Sequence, residues 1–336
     1  MTIGPKIVVI IPCYDEAAAI GKVVGDFRAA LPQADVVVYD NNSRDDTVRV
    51  ATAAGAAVYN EPLQGKGHVV RRMFADVDAD VYVLVDGDDT YDAAAAPAMV
   101  ERLLAERLDL INGRRQETHQ QNYRPGHRFG NILLTEMAKL LFGDRFDDML
   151  SGYKIFSRRY VKSFPALSAG FEIETELAIH ALEMSMPIAE VDTSYRNRPV
   201  GSESKLNTFR DGFRIVGMIL RLWKEVRPVS FFLTIAAVLA ASAIVLAIPL
   251  LTEYMATGLV PRFPTAILVT GIMITAFLSV TCGVLLDSVA RSRRELKRLH
   301  YLRVPVWPAR QKPSDPMIHR ADIPTPIAIG THNPST

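Results

Sequence analysis

Two long stretches without a charged residue constrain the fold of this chain more than any other feature. They are residues 229–251 and 265–286 of the 336-residue sequence. As helices rising 1.5 Å per residue, they would measure about 34 Å and about 33 Å. Each would therefore cross the hydrocarbon core of a bilayer, which is ~30 Å thick. One such stretch could be a buried helix of a globular domain, but two in succession predict a pair of transmembrane helices.

Basic residues beside the two stretches predict their orientation. Residues 207–228 before the first stretch and 287–303 after the second are rich in Lys and Arg, whereas the connecting loop, 252–264, contains only Arg262 as a basic residue. Positive loops stay in the cytoplasm. The sequence therefore predicts a multi-pass inner-membrane protein whose N-terminal domain and both termini are cytoplasmic. The formal net charge of +1 gives no general attraction to nucleic acid.

The first third of the chain alternates short apolar runs with segments of helical spacing. The runs that read as strands are residues 7–11, 36–39, 57–59, 81–85 and 108–112. A β-α-β-α alternation predicts an α/β domain, with a mostly parallel sheet covered by helices on both faces.

The predicted organisation has five parts. The α/β domain takes residues 1–206, and an amphipathic juxtamembrane helix takes residues 207–228. The two spans follow at 229–251 and 265–286. The last part, residues 287–336, is predicted to be a basic and then disordered cytoplasmic tail, because it becomes rich in proline and polar residues without periodicity.

An acidic segment, Asp86-Gly87-Asp88-Asp89, directly follows the apolar run at 81–85. Open α/β sheets bind their ligands at the carboxyl ends of the strands. The glycine lets the carboxylates of Asp86 and Asp88 turn toward one point. Hard oxygen ligands in this arrangement suit Mg²⁺ or Mn²⁺ carrying a diphosphate. The alternative is an ordinary polar turn.

Three further loops follow strands at the same predicted edge of the sheet. They are Pro12-Cys13-Tyr14-Asp15-Glu16, Asp40-Asn41-Asn42-Ser43 and Gly65-Lys66-Gly67. Because the strand ends converge, the crevice would gather several carboxylates and one lysine. No G-x-G-x-x-G follows the first run and no Walker A motif is present, which argues against a dinucleotide cofactor and against a P-loop NTPase.

The motifs I-I-P-C-Y-D-E, V-Y-D-N-N-S-R-D-D-T, Q-G-K-G and V-D-G-D-D together resemble the inverting family 2 glycosyltransferases of the GT-A fold. Three later segments narrow the resemblance to polyprenyl-phosphate and dolichyl-phosphate sugar synthases. They are N-G-R-R at 112–115, D-M-L-S-G-Y-K at 148–154 and G-S-E-S-K-L at 201–206. The resemblance covers about residues 5–226.

This resemblance implies a nucleotide-sugar site in which Asp40 reads the base and Asp86 and Asp88 hold Mg²⁺ or Mn²⁺ with the diphosphate. The implied nucleotide-sugar residues are Pro12, Tyr14, Glu16, Asp40, Asn42, Asp45, Lys66, Asp86, Gly87 and Asp88. For Asn42 the alternative is helix capping. Similar enzymes often place Gln where this chain has Thr90, so Thr90 and the extra carboxylate of Asp89 stay unassigned.

The acceptor side needs cations, because a lipid phosphate is anionic near neutral pH. The residues implied for the acceptor phosphate are Arg124, Arg128, Ser151, Arg198 and Lys205, and those implied for catalysis are Asp88, Arg115, Arg128 and Lys205. Arginine suits phosphate through its bidentate fork. The alternative is a solvated basic surface or a contact with anionic lipid. Glu172 and Glu174 either support the sugar or cap a helix.

The implied function is direct transfer of a sugar from a UDP- or GDP-sugar to polyprenyl phosphate, for envelope glycan assembly. The phosphate oxygen is already deprotonated, so no strong general base is needed. Implied partners are the nucleotide sugar, the lipid phosphate, the membrane and further copies of the chain in a homo-oligomer such as a tetramer, but no nucleic acid. Two alternatives stay open, a non-enzymatic nucleotide-sugar-binding membrane scaffold and a transferase with another acceptor. A processive polysaccharide synthase is disfavoured, since Q-x-x-R-W is absent.

Overall fold

The computed structural model of the chain describes residues 4–117, 146–166, 170, 172–196, 217 and 220–307. Four predicted phosphate-site residues lie outside this range, namely Arg124, Arg128, Arg198 and Lys205. The predicted juxtamembrane helix at 207–228 is described mainly at its end, where residues 221–226 are helical. The predicted disordered tail beyond residue 307 also lies outside the described residues.

Among the described residues, seven strands form one sheet in the order β3-β2-β1-β4-β6-β5-β7. Their bounds are β1 Ile7–Cys13, β2 Asp35–Asp40, β3 Ala57–Asn60, β4 Val81–Leu84, β5 Leu110–Glu117, β6 Lys154–Ser157 and β7 Ile188–Tyr195. β1 pairs in parallel with β2 and β4, β2 with β3, and β5 with β7. β6 runs antiparallel to both of its neighbours, β4 and β5. The predicted mostly parallel α/β fold is confirmed.

Six helices accompany the sheet within the described part of this domain. Their bounds are α1 Ile20–Ala30, α2 Thr47–Ala53, α3 Lys66–Asp76, α4 Ala96–Ala105, α5 Arg158–Ser163 and α6 Ile173–Glu183. Alternate residues of β1 enter two separate cores: Val8 and Ile10 pack on one face of the sheet, while Val9 and Ile11 pack on the other. Both faces are therefore buried, which explains why β1 and β4 read as continuous apolar runs.

The strands differ from the sequence prediction in two respects. β1 continues through Pro12 to Cys13, two residues past the predicted end at residue 11. β1 pairs with β4 only as far as Ile10, so Pro12 lies where the strand has one neighbour and its missing N–H is tolerated. In addition, β5 extends to Glu117, well past the predicted end at residue 112.

Two long apolar helices follow the α/β domain, as predicted. They are α7 Pro228–Thr257 and α8 Phe263–Arg303, and both are long and apolar enough to cross a membrane, with 11% of their apolar windows buried. They form an antiparallel pair, because only five residues connect them and Gly283, near the middle of α8, lies against Phe232 at the start of α7, where an added Cβ would be 3.0 Å away. α8 continues as a helix beyond residue 286, where the second span was predicted to end.

Candidate active site

Asp40 ends β2 and lies buried, with 4% of its surface exposed. Its Oδ2 accepts a hydrogen bond from the backbone N–H of Ser43 at 3.1 Å. Its Oδ1 is buried and has no hydrogen-bond partner in the described structure. An unsatisfied buried acceptor costs roughly 1–3 kcal/mol. A ligand N–H that reached Oδ1 would remove this cost.

Hydrogen bonds between backbone and side-chain groups join the loop after β1 to the loop after β2. The N–H of Asp15 donates to Ser43 Oγ at 2.9 Å, that of Glu16 donates to Thr47 Oγ1 at 2.9 Å, and that of Ala17 donates to Asp45 Oδ2 at 3.0 Å. Burial opposes the charge on Asp45, but the hydrogen bonds from Thr47 and Ala17 outweigh it and lower the pKa of this carboxyl. Asp45 therefore supports the shape of the loops that carry Tyr14 and Glu16.

Two consecutive asparagines join the loop after β2 to the loop that leads into α3. Asn41 donates from Nδ2 to the carbonyls of Glu61 and Leu63 at 2.9 and 2.8 Å, and its Oδ1 accepts from the N–H of Gly65 at 2.7 Å. Asn42 has φ 65° and donates to the Pro62 carbonyl at 3.0 Å. Neither asparagine caps α2. The role of Asn41 was missed, because its partners lie about twenty residues away in sequence.

Lys66 lies between two carboxylates, one of which belongs to the acidic segment after β4. Lys66, the first residue of α3, contacts Asp86 Oδ1 and Glu174 Oε1, both at 2.5 Å. Burial opposes the charge on Lys66, but the two carboxylates outweigh it and raise its pKa. Lys66 is therefore a permanent cation. The structure brings Lys66 and Asp86 together as predicted, and it adds Glu174 from the first turn of α6.

The acidic segment itself divides into residues with different partners. Asp88 is buried with 3% exposed, and its Oδ1 accepts from the Thr90 hydroxyl at 2.6 Å. Asp89 has φ 56° and pairs with Lys22 of α1 at 2.7 Å. A Cβ on Gly87 would lie 2.6 Å from Cys13 Sγ, so only glycine fits this close approach. Thr90 therefore orients Asp88, and Asp89 joins the segment to α1.

The residues just before β6, Ser151 and Gly152, contact both the acidic segment and β5. The Asp86 carboxylate lies directly against Gly152, where a Cβ would overlap it. Ser151 is fully buried and its hydroxyl donates to the Gly113 carbonyl at 2.5 Å. The side chain of Ser151 therefore connects two segments of the domain and has no access to solvent. Because of this placement, we do not include Ser151 in the phosphate site proposed below.

Arg115 forms a bidentate ion pair with Asp148, with Nε and Nη2 each 2.7 Å from a carboxylate oxygen. Burial opposes the charge on Asp148, but Arg115 outweighs it and lowers the pKa of this carboxyl. The guanidinium also lies 5.5 Å from the centre of the Tyr195 ring. Arg115 is thus oriented by protein partners, and a phosphate would have to share it with Asp148.

A buried polar network that the sequence analysis did not identify lies beneath Arg115. Lys154 is fully buried and donates to Asn112 Oδ1 at 2.5 Å and to the Met149 carbonyl at 3.2 Å. Asn112 in turn donates to Glu190 Oε1 at 2.7 Å. Burial lowers the pKa of Lys154 to about 8, despite the nearby carboxylates of Glu174, Asp148 and Glu190. The sequence signal that could have indicated this network was the lysine that ends the motif D-M-L-S-G-Y-K.

The lowered pKa of Lys154 predicts a pH-dependent stability. The unfolded chain keeps the ordinary lysine pKa, so between about pH 8 and pH 10.5 it binds more protons than the folded chain, and stability rises with pH. The full gain is roughly 3 kcal/mol, since a tenfold change in proton affinity is about 1.4 kcal/mol. In thermal unfolding in detergent, the melting temperature of the wild type should rise relative to that of Lys154→Met across this pH window. A constant difference between the two would contradict the prediction.

The residues that could hold a divalent cation are Asp86 and Asp88. No group of three or more His, Cys, Asp or Glu suited to a metal occurs among the residues that the structure describes. Mg²⁺ is commonly bound by one or two carboxylates together with substrate phosphates and water. These two hard-oxygen carboxylates, of which Asp86 contacts Lys66, fit that mode, in which the diphosphate would supply the remaining ligands.

The mostly parallel seven-stranded sheet, with acidic and basic loops at its strand ends, has the α/β architecture of the GT-A fold. The chain belongs to glycosyl transferase family 2, which matches residues 8–164. The glycosyltransferase AglJ of Haloferax volcanii is 32% identical over 301 residues, which are 88% of this chain and 97% of the relative. The membership of family 2 that the motifs indicated is thereby confirmed.

Two further similarities concern particular activities. A dolichyl-phosphate hexose transferase of Haloferax volcanii is 30% identical over 220 residues, covering 65% of this chain and 94% of the relative. The glucosyl-3-phosphoglycerate synthase of Mycobacterium tuberculosis, solved with Mn²⁺, uridine diphosphate and phosphoglyceric acid, superposes with a TM-score of 0.52 at 25% identity. That similarity covers 66% of this chain and 78% of the synthase.

Proposed function

We propose that this glycosyltransferase is membrane-bound and transfers a sugar, with inversion, from a UDP- or GDP-sugar to polyprenyl phosphate. The observation that carries the proposal is the presence of two long, mostly uncovered apolar helices on the same chain as the family 2 site. A water-soluble acceptor would not require them. A lipid phosphate gives them a role, because its headgroup stays at the bilayer surface, where the helices would hold the catalytic domain.

One relative supports this acceptor by its name, the dolichyl-phosphate hexose transferase, which aligns along 94% of its length. AglJ aligns with 88% of this chain and supports the glycosyltransferase activity. The synthase structure with Mn²⁺ and uridine diphosphate supports a divalent cation and a nucleoside diphosphate as ligands of this fold. The basic flanks of the apolar helices favour an inner-membrane protein with a cytoplasmic catalytic domain, and paired helices are compatible with a homo-oligomer.

On the donor side, Asp40 Oδ1 would accept the N–H of the base, which satisfies its unpaired buried oxygen. Both uracil and guanine offer such an N–H. Pro12, near the end of β1, and three residues of the following loops, Tyr14, Glu16 and Asn42, would line the nucleotide pocket. The choice between UDP and GDP thus depends on the shape of this pocket.

Asp86 and Asp88 would bind Mg²⁺ or Mn²⁺ together with the diphosphate. The bound cation would supply charge neutralisation for the departing nucleoside diphosphate. Lys66 adds a permanent positive charge beside Asp86. Thr90 holds one oxygen of Asp88 by hydrogen bonding, so the carboxylate has a defined orientation before the donor binds.

On the acceptor side, a phosphate oxygen of the lipid attacks the anomeric carbon of the sugar. The new carbon–oxygen bond forms as the bond to the diphosphate breaks, and the nucleoside diphosphate leaves with the electron pair. No proton has to be removed from the ionised phosphate. Arg115 would orient this phosphate together with Arg124, Arg128, Arg198 and Lys205, which lie outside the described residues.

The proposal is tested by incubating the purified protein with undecaprenyl phosphate, Mg²⁺ or Mn²⁺, and a panel of UDP- and GDP-sugars. We expect a new lipid product whose mass equals the acceptor plus one sugar. In Asp40→Asn the KM for the donor should rise about tenfold or more, since a hydrogen bond to a charged group contributes roughly 1.5–3 kcal/mol. Donor binding without any product would favour the scaffold. Transfer to soluble acceptors alone would contradict the lipid acceptor.

A further inference from the structure

The end of α8 contacts the catalytic domain. At 1.5 Å per residue, the 41 residues of α8 extend for about 62 Å. The hydrocarbon core of a bilayer is only ~30 Å thick. About half of α8 must therefore lie outside the membrane, and the part after the second predicted span, residues 287–303, accounts for most of that excess. We call residues 287–303 the α8 extension.

Tyr301, near the end of the α8 extension, completes the bonding of a buried carboxylate. Its hydroxyl donates to Asp109 Oδ2 at 2.6 Å, and Asp109 is fully buried just before β5. Asp109 also accepts from Ser157 Oγ at 2.7 Å and from Arg159 Nε and Nη2 at 2.5 and 2.8 Å. The Arg159 guanidinium lies 4.6 Å from the centre of the Tyr301 ring. This contact joins residues 192 positions apart in sequence.

A second contact lies one helical turn earlier on the same face of the α8 extension. Lys297 pairs with Glu183 at 2.7 Å, and both side chains are mostly covered, with 26% and 16% exposed. Residues four apart on a helix share a face, so Lys297 and Tyr301 act on the domain together. Leu299, between them in sequence, lies on another side of the helix and is 56% exposed.

The element that receives Lys297 also leads to the active site. Glu183 is the last residue of α6, and the first turn of α6 carries Glu174. Glu174 contacts Lys66, and Lys66 contacts Asp86. A single helix of eleven residues therefore connects the α8 extension to the acidic segment at the strand ends.

We propose that the α8 extension is a rigid strut that holds the catalytic domain at a set height and orientation over the second span, with Lys297 and Tyr301 as its positioning residues. The inference rests on the proposed function in one respect, that the acceptor phosphate lies at the bilayer surface. A flexible linker would let the domain rotate freely. A continuous helix bound at two points restricts the strand ends to one approach toward the lipid.

Cross-linking tests the contact without any activity measurement. In a Cys282→Ser background, Glu183→Cys is combined with Lys297→Cys, and the protein in native membranes is treated with a short bismaleimide. The remaining native cysteine, Cys13, is buried. We expect efficient intramolecular cross-linking, and much less for the matched control pair, Glu183→Cys with Leu299→Cys. Equal cross-linking of both pairs, or none at position 297, would overturn the strut.

Transfer assays test whether the contact positions the domain. Tyr301→Phe removes only the hydroxyl, so transfer to undecaprenyl phosphate in vesicles should fall roughly tenfold, because small displacements of reacting groups are costly. Transfer to a short-chain prenyl phosphate in detergent should not change, because that acceptor reaches the site in any orientation. An equal loss with both acceptors, or no loss, would contradict the positioning role.

A charge exchange provides the rescue experiment. Lys297→Glu should lower transfer in vesicles, and the added Glu183→Lys should restore it, since the pair is then reversed. Failure of the second change to restore transfer would count against the contact. If no lipid phosphate accepts a sugar at all, the proposed function fails, whereas the cross-linking result still decides whether the strut exists.

Discussion

Replacing Asp88 by Asn is expected to reduce sugar transfer by at least about 100-fold, the scale on which preorganised charge stabilisation acts. The side chain is 3% exposed and one of its oxygens is bonded to the Thr90 hydroxyl at 2.6 Å. Asparagine keeps the shape but removes the negative charge that would bind Mg²⁺ or Mn²⁺. Initial rates should therefore stay low at every concentration of the cation, while the melting temperature in detergent changes little.

Asp89→Asn is the matched control, because it removes the same charge one residue away. Asp89 pairs with Lys22, whose side chain is 50% exposed, and such exposed pairs contribute little to stability. Transfer by this variant should stay close to the wild-type rate. Normal transfer by Asp88→Asn, or an equal loss in both variants, would show that the metal site has been assigned wrongly.

Gly152→Ala is expected to lower kcat/KM by roughly 100-fold, the effect of misplacing a reacting group by about 1 Å. A Cβ at this position would overlap the Asp86 carboxylate. That carboxylate is held by Lys66, so it cannot rotate away without losing its partner. The backbone of Gly152 does not lie in the left-handed region, so the methyl group itself is the cause. Steady-state kinetics with a nucleotide sugar would measure the loss.

Gly25→Ala is the corresponding control for an added methyl group. Gly25 lies on the exposed side of α1, and a Cβ there meets nothing within 4 Å. Alanine is a better helix former than glycine by up to about 1 kcal/mol, so the melting temperature should rise slightly with transfer unchanged. Full activity of Gly152→Ala would contradict the prediction, because it would show that transfer does not depend on the observed position of the Asp86 carboxylate.

The sequence predicted the parts of the domain that depend on local pattern. β1, β2 and β4 are apolar because both of their faces are buried, and this produces runs that can be read directly. The acidic and basic loops follow those strands, so their convergence at one edge was foreseeable. The two apolar helices were equally readable, since length and lack of charge suffice.

The elements missed by the sequence analysis depend on distant partners. β6 has four residues and begins with Lys154, a residue type that rarely enters a core. Its lysine is stable there because Asn112 and the Met149 carbonyl accept its hydrogen bonds. Asn41 likewise has an ordinary sequence context, and only the loop after β3 reveals what it binds. No local periodicity encodes such pairings.

The sequence by itself therefore determined the α/β class, the acidic strand ends and the two apolar helices, because burial and strand order leave periodic signals. Only the tertiary structure decided which carboxylate meets which cation. It placed Lys66 between Asp86 and Glu174, joined Asp89 to Lys22 and brought Tyr301 to Asp109. The reason is physical: a buried charge is stable only beside a partner, and folding selects that partner by distance in space.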